Sequence, residues 1–84
     1  MNELEIFKKR LIYRSNYRGT KEMDILLGGF VKKYVNIFDK TELSELEKFL
    51  NFEDEIILNY YQFDIVKNNI DKNKISKIFK EFKL

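Results

Sequence analysis

Apolar residues recur along this chain at three- and four-residue spacing between short polar runs, a pattern that predicts five helices. Leu4, Phe7, Leu11 and Ile12 stripe the first, over residues 3–15. The second, over 20–36, carries Met23, Ile25, Leu26, Leu27, Phe30, Val31, Tyr34 and Val35. That apolar arc is too wide for a helix with one face in water, so this helix is expected at the centre. Leu43, Leu46, Phe49 and Leu50 mark a third over 41–51, and Ile57, Leu58, Tyr60 and Tyr61 a fourth over 54–62. Ile75, Ile78, Phe79 and Phe82 mark a fifth over 72–83.

The residues between these stripes say where each helix starts and stops. Asn16 is suited to the left-handed conformation that ends a helix, and Gly19 follows it. Asp39-Lys40-Thr41-Glu42 has the spacing of a capping box ahead of the third helix. Asp54 is expected to cap the fourth and Asp71 the fifth. Gly28 and Gly29 cost roughly 1 kcal/mol each inside a helix relative to alanine. Their presence predicts that a neighbouring helix passes close by.

Composition narrows the fold to an all-α, small single-domain bundle over 1–84. The chain has 84 residues, 44% of them hydrophobic, with eight phenylalanines, three glycines and no proline. That is one domain's worth of chain with an aromatic-rich core and nothing to break its helices. Histidine and cysteine are both absent, which removes the thiol nucleophile, the commonest general base and the usual zinc ligands. No catalytic residue, no metal site and no tightly held cofactor is expected, and the chain does not read as an enzyme.

No run approaches the ~20 apolar residues of a membrane span, so the protein is not expected to be membrane-integral. Acids near the start, Glu3 and Glu5, argue against a signal or transit peptide. The expected location is the bacterial cytoplasm, with the mitochondrial matrix requiring a removed presequence. Residues 1–35 carry eight basic and four acidic side chains, residues 39–55 two and seven. Such a dipolar surface orients a charged partner. The basic residues Lys8, Lys9 and Arg10 point around a helix rather than along one stripe, and the second helix is too apolar for a recognition helix. No nucleic-acid partner is expected.

Candidate chemistry concentrates at the junction of the first two helices, Tyr13-Arg14-Ser15-Asn16-Tyr17-Arg18-Gly19-Thr20-Lys21-Glu22-Met23-Asp24. A turn there is expected to hold Arg18 and Glu22 outward. Gly19 permits either an unusual backbone angle or the close approach of another surface. Two readings of Glu22 stand: a helix-capping role three residues after a Gly19 N-cap, or a partner contact. Tyr13 and Arg14 are residue types favoured as interface anchors; the structural alternative half-buries Tyr13 and leaves Arg14 solvated.

Tyr13-Arg14-Ser15 followed by Arg18-Gly19-x-x-Glu22-x-Asp24-x-Leu26-Leu27-Gly28-x-Phe30 resembles the RGxxE signature of the FAD assembly factor family, also called succinate dehydrogenase assembly factor 2. The similarity continues through Leu43, Leu46, Phe49 and Leu50 and from Asp54 to Tyr61, thinning after Phe63. The resemblance implies a chaperone-like assembly factor. It would bind the flavoprotein subunit of succinate dehydrogenase, with fumarate reductase as a further client, and promote covalent attachment of FAD to a histidine of that partner. The motif would form the contact surface: Arg18, Gly19 and Glu22, with Arg14, Tyr13, Ser15 and Asp24 around them. The alternative is a regulatory, antitoxin-like interaction module unrelated to flavinylation.

Overall fold

The computed structural model describes residues 2–84. Five α-helices follow one another: α1 Glu3–Asn16, α2 Lys21–Tyr34, α3 Lys40–Leu50, α4 Asp54–Phe63 and α5 Lys74–Glu81, with a 3-10 turn Ile70–Lys72 before α5. The fold is all-α, with no strand among the described residues.

Helix α2 runs through the middle, as its wide apolar arc requires. Its Phe30 is fully buried, with ring centroids 5.1 Å from Phe79, 5.4 Å from Phe82 and 6.4 Å from both Phe38 and Phe49. Phe79 of α5 meets it edge-on, the arrangement that aromatic quadrupoles favour. One side chain of α2 thus gathers α3, α5 and the segment after α5 into a single core.

The two helical glycines have separate reasons. A Cβ on Gly28 would lie 2.2 Å from Asn16 Oδ1, so the end of α1 crosses α2 where α2 has no side chain. A Cβ on Gly29 would lie 3.0 Å from Leu84 Cδ2 and 3.7 Å from Phe82 Cζ, so the final segment crosses there. The predicted close approach is real at Gly28, and a second one follows it.

Helix ends differ from expectation where a cap is contested. The box between Asp39 and Glu42 forms in both directions, at 2.8 and 3.0 Å. Asn16 is not left-handed; it remains helical, and positive φ falls at Asp64, Asn68 and Asn69. Thr20, not Gly19, caps α2, accepting the Met23 amide at 3.2 Å. Asp54 is the first residue of α4 rather than its cap, because its carboxylate is turned to another task, and Glu53 before it makes no side-chain cap. Asp71 lies in the 3-10 turn, and Asn73 caps α5 instead, accepting from Ile75 at 2.8 Å while donating to the Glu45 carbonyl at 3.0 Å. That second bond reaches α3 and explains the choice of Asn73.

After Glu81 the chain leaves the helix in an extended conformation. Phe82 inserts into the core, and the Tyr61 hydroxyl donates to its carbonyl at 2.6 Å. Leu84 is thereby laid across α2 at Gly29, with 76% of its surface exposed.

Candidate functional site

The turn between α1 and α2 is fixed by a side chain that was expected to point outward. The Arg18 guanidinium is directed into the protein, its side chain only 11% exposed. Nε donates to Asp54 Oδ1 at 2.8 Å, Nη1 to the Leu50 carbonyl at 2.7 Å and Nη2 to the Phe52 carbonyl at 2.7 Å. The two carbonyls belong to the end of α3 and the bend after it, where a helix leaves acceptors without internal partners. Asp54 stands at the start of α4, where the helix dipole favours a carboxylate. One planar cation therefore joins three helix ends, a task the fork of arginine performs and the point charge of lysine does not.

Gly19 belongs to the same arrangement. Its amide donates to Asp54 Oδ2 at 3.1 Å, and a Cβ there would lie 3.3 Å from that oxygen. Its φ is not positive, so close approach, not an unusual angle, is the reason for glycine. The surface that approaches is this chain's own Asp54. The Arg18 amide in turn donates to Asp24 Oδ1, tying the turn to the first turn of α2.

Ser15 is fully buried and donates to the Ile12 carbonyl at 2.7 Å. Arg14 donates to Asn51 Oδ1 at 2.6 Å, a second bond from α1 to the bend after α3. Tyr13 is exposed rather than half-buried, its ring 4.5 Å from that of exposed Tyr17.

Glu22 differs from all of these. It is exposed in the first turn of α2 and takes part in no ion pair among the described residues. The N-terminal end of the helix favours its negative charge. With Thr20 and Met23 completing the cap, Glu22 has no capping duty. Beside it lies a shallow groove of about 280 Å³, between α2 and α4, lined by Ile25, Leu26, Leu58, Tyr61, Gln62 and Leu84. Ile25 and Leu84 are the exposed apolar members. A carboxylate on a rigid helix next to an open apolar groove suits a protein partner that offers a cation beside an apolar side chain.

The structure thus divides the seven candidate residues. Arg18, Gly19, Asp24, Ser15 and Arg14 are engaged within the chain; Glu22 and Tyr13 face solvent. The apolar groove at Ile25, Leu58 and Leu84 was not singled out from the sequence, because α4 and the final segment meet α2 only in the folded chain. Asp54 was also missed as a member of this region, its position at a helix start having suggested a cap.

A family model described as flavinator of succinate dehydrogenase matches residues 9–83. The chain belongs to this family. The matched span contains the junction from Tyr13 to Asp24 and every groove residue but Leu84. Among family members, the mitochondrial succinate dehydrogenase assembly factor 2 of Scheffersomyces stipitis is 43% identical over 81 residues, covering 92% of this chain and 52% of that protein. The protein of the same name from Debaryomyces hansenii is 38% identical over 81 residues, covering 92% of this chain and 55% of its own length. The FAD assembly factor SdhE of Acetobacter pasteurianus is 43% identical over 47 residues, covering 56% of this chain and 43% of its own. The chain spans about half the length of the curated relatives it matches. No described helix of this family member is long and apolar enough to cross a membrane.

Proposed function

We propose that this chain binds the flavoprotein subunit of succinate dehydrogenase and promotes covalent attachment of FAD to it, acting as an assembly factor and not as an enzyme. The names of its relatives support the client and the process, since they are called flavinator, succinate dehydrogenase assembly factor and FAD assembly factor. Fumarate reductase is a second client in this reading. The working compartment is wherever that client matures, the bacterial cytoplasm or the mitochondrial matrix.

The observation that carries the reading is the exposed, unpaired Glu22 at the rim of the groove formed by Ile25, Leu58 and Leu84. Glu22 and the groove supply the contact, with Tyr13 as a flanking anchor. Arg18 and Gly19 contribute indirectly: they lock the turn from which α2 presents Glu22. The chain has no histidine or cysteine to donate to the flavin, so the nucleophile belongs to the partner. What the assembly factor supplies is positioning, holding the client so that flavin and nucleophile meet in a reactive geometry.

The test is flavinylation of the cognate flavoprotein subunit with and without the chain, read by flavin fluorescence in denaturing gels. Stimulation by wild type but not by Glu22→Ala supports the reading. Equal stimulation by both moves the contact elsewhere, and no stimulation of a competent client overturns the function.

A further inference from the structure

A second set of exposed side chains, none of them lining the groove, lies past the end of α4. Helix α4 ends at Asp64, whose positive φ turns the chain sharply outward. The residues at this turn, Phe63, Ile65 and Val66, are 65%, 43% and 50% exposed. Three large apolar side chains in four consecutive positions are thus left in water, with Lys67 next in sequence. Asn68 and Asn69, both at positive φ, return the chain to the 3-10 turn.

Helix α5 lies against this loop. Lys80 Nζ contacts the Asp64 carboxylate and donates to the Tyr60 carbonyl at 2.9 Å. Lys77, Lys80, Glu81 and Lys83 line one open concavity, and Lys83 Nζ is 6.0 Å from the Tyr61 ring. Residues 65–84 contain six lysines and no arginine, against two acids, Asp71 and Glu81; Asp64, just before them, is paired with Lys80.

We propose that the 63–67 loop, the lysines of α5 and Lys83 after it form a peripheral docking site for an anionic lipid surface. An apolar loop tip enters the headgroup boundary while lysines beside it meet the negative headgroups, the two components that interfacial binding combines. The pairing of an exposed apolar tip with neighbouring lysines is what points to lipid. Lysine is a strongly hydrated point charge suited to diffuse attraction to a layer of headgroups. The concavity is broad and open and offers no closed pocket for a protein anchor. None of the residues of this surface lines the groove beside Glu22.

The experiment is co-sedimentation of the full chain with vesicles of phosphatidylcholine alone or mixed with phosphatidylglycerol. Retention is expected only on the anionic vesicles, falling as salt rises. Lys77→Glu with Lys83→Glu, and separately Phe63→Ser with Val66→Ser, are each expected to weaken it at least about tenfold, with unchanged circular dichroism. Equal retention on neutral and anionic vesicles, no retention on either, or wild-type retention by either double variant overturns the proposal. Capture by polyglutamate beads, with vesicles ignored, also overturns it and assigns the surface to an acidic polypeptide.

Discussion

The Asp54 carboxylate holds Arg18 Nε at 2.8 Å with one oxygen and the Gly19 amide at 3.1 Å with the other, across 36 and 35 positions of sequence. This makes the most recognisable part of the junction a fastening for the fold. The arginine and glycine set the path of the turn, and the glutamate three positions further on is what the turn presents.

The first prediction concerns this fastening. Arg18→Ala leaves a carboxylate and two carbonyls without their partner, at a cost of about 3 kcal/mol. For a chain this small that corresponds to a fall in Tm of roughly 15 °C. Arg18→Lys is expected to recover only part of it, because an ammonium does not span the three acceptors. Thermal unfolding by circular dichroism measures both.

Arg18 and Asp54 should also fail to add. The double variant Arg18→Ala/Asp54→Ala is expected to cost clearly less than the sum of the single changes, since the bond from Nε to Oδ1 is lost in each of them. Additive losses in denaturant unfolding would mean that the two residues stabilise the chain through separate contacts.

The third prediction tests the crossing of α1 over α2. Gly28→Ala places a Cβ on Asn16 Oδ1. The helix propensity gained, about 1 kcal/mol, is then offset by the forced rotation of Asn16. In an Asn16→Ala background the obstacle is gone and the same substitution should stabilise. A coupling of at least about 1 kcal/mol between the two sites is expected, and unfolding of the four proteins gives it directly.

How much of this was legible beforehand depended on the range of each interaction. The Asp39–Glu42 box was readable because both partners lie within one turn, and α2 was readable as the central helix from its own apolar arc. The five stripes likewise gave the all-α class. Asp54 was read as a cap because only its local position was visible; its true partners lie more than thirty residues away. The same limit applies to Arg18, whose local context suggests an outward side chain while its three acceptors lie more than thirty positions away. Asn73 displaced Asp71 as the cap of α5 because it alone also reaches the Glu45 carbonyl. Gly28 announced a close approach, but not that Asn16 makes it. Within the junction, the residue types were visible and their division into inward and outward members was not.

The groove gives a prediction of its own. Ile25→Ser and Leu84→Ser remove exposed apolar surface without touching the buried core. Both should leave Tm within about 2 °C, since surface substitutions change stability little. Each is expected to weaken capture of the flavoprotein subunit in a pull-down several-fold. Unchanged capture by both variants would remove the groove from the contact surface.

The most direct test of the account is a comparison of Glu22→Ala with wild type in two assays on the same preparation, thermal unfolding and flavinylation of the cognate flavoprotein subunit. Glu22 is predicted to matter chiefly to the second: an unfolding curve within a few degrees of wild type, from the lost charge at the helix start, and lost stimulation of flavin attachment. A Glu22→Ala protein that unfolds well below wild type, or that stimulates flavinylation as well as wild type does, would contradict it.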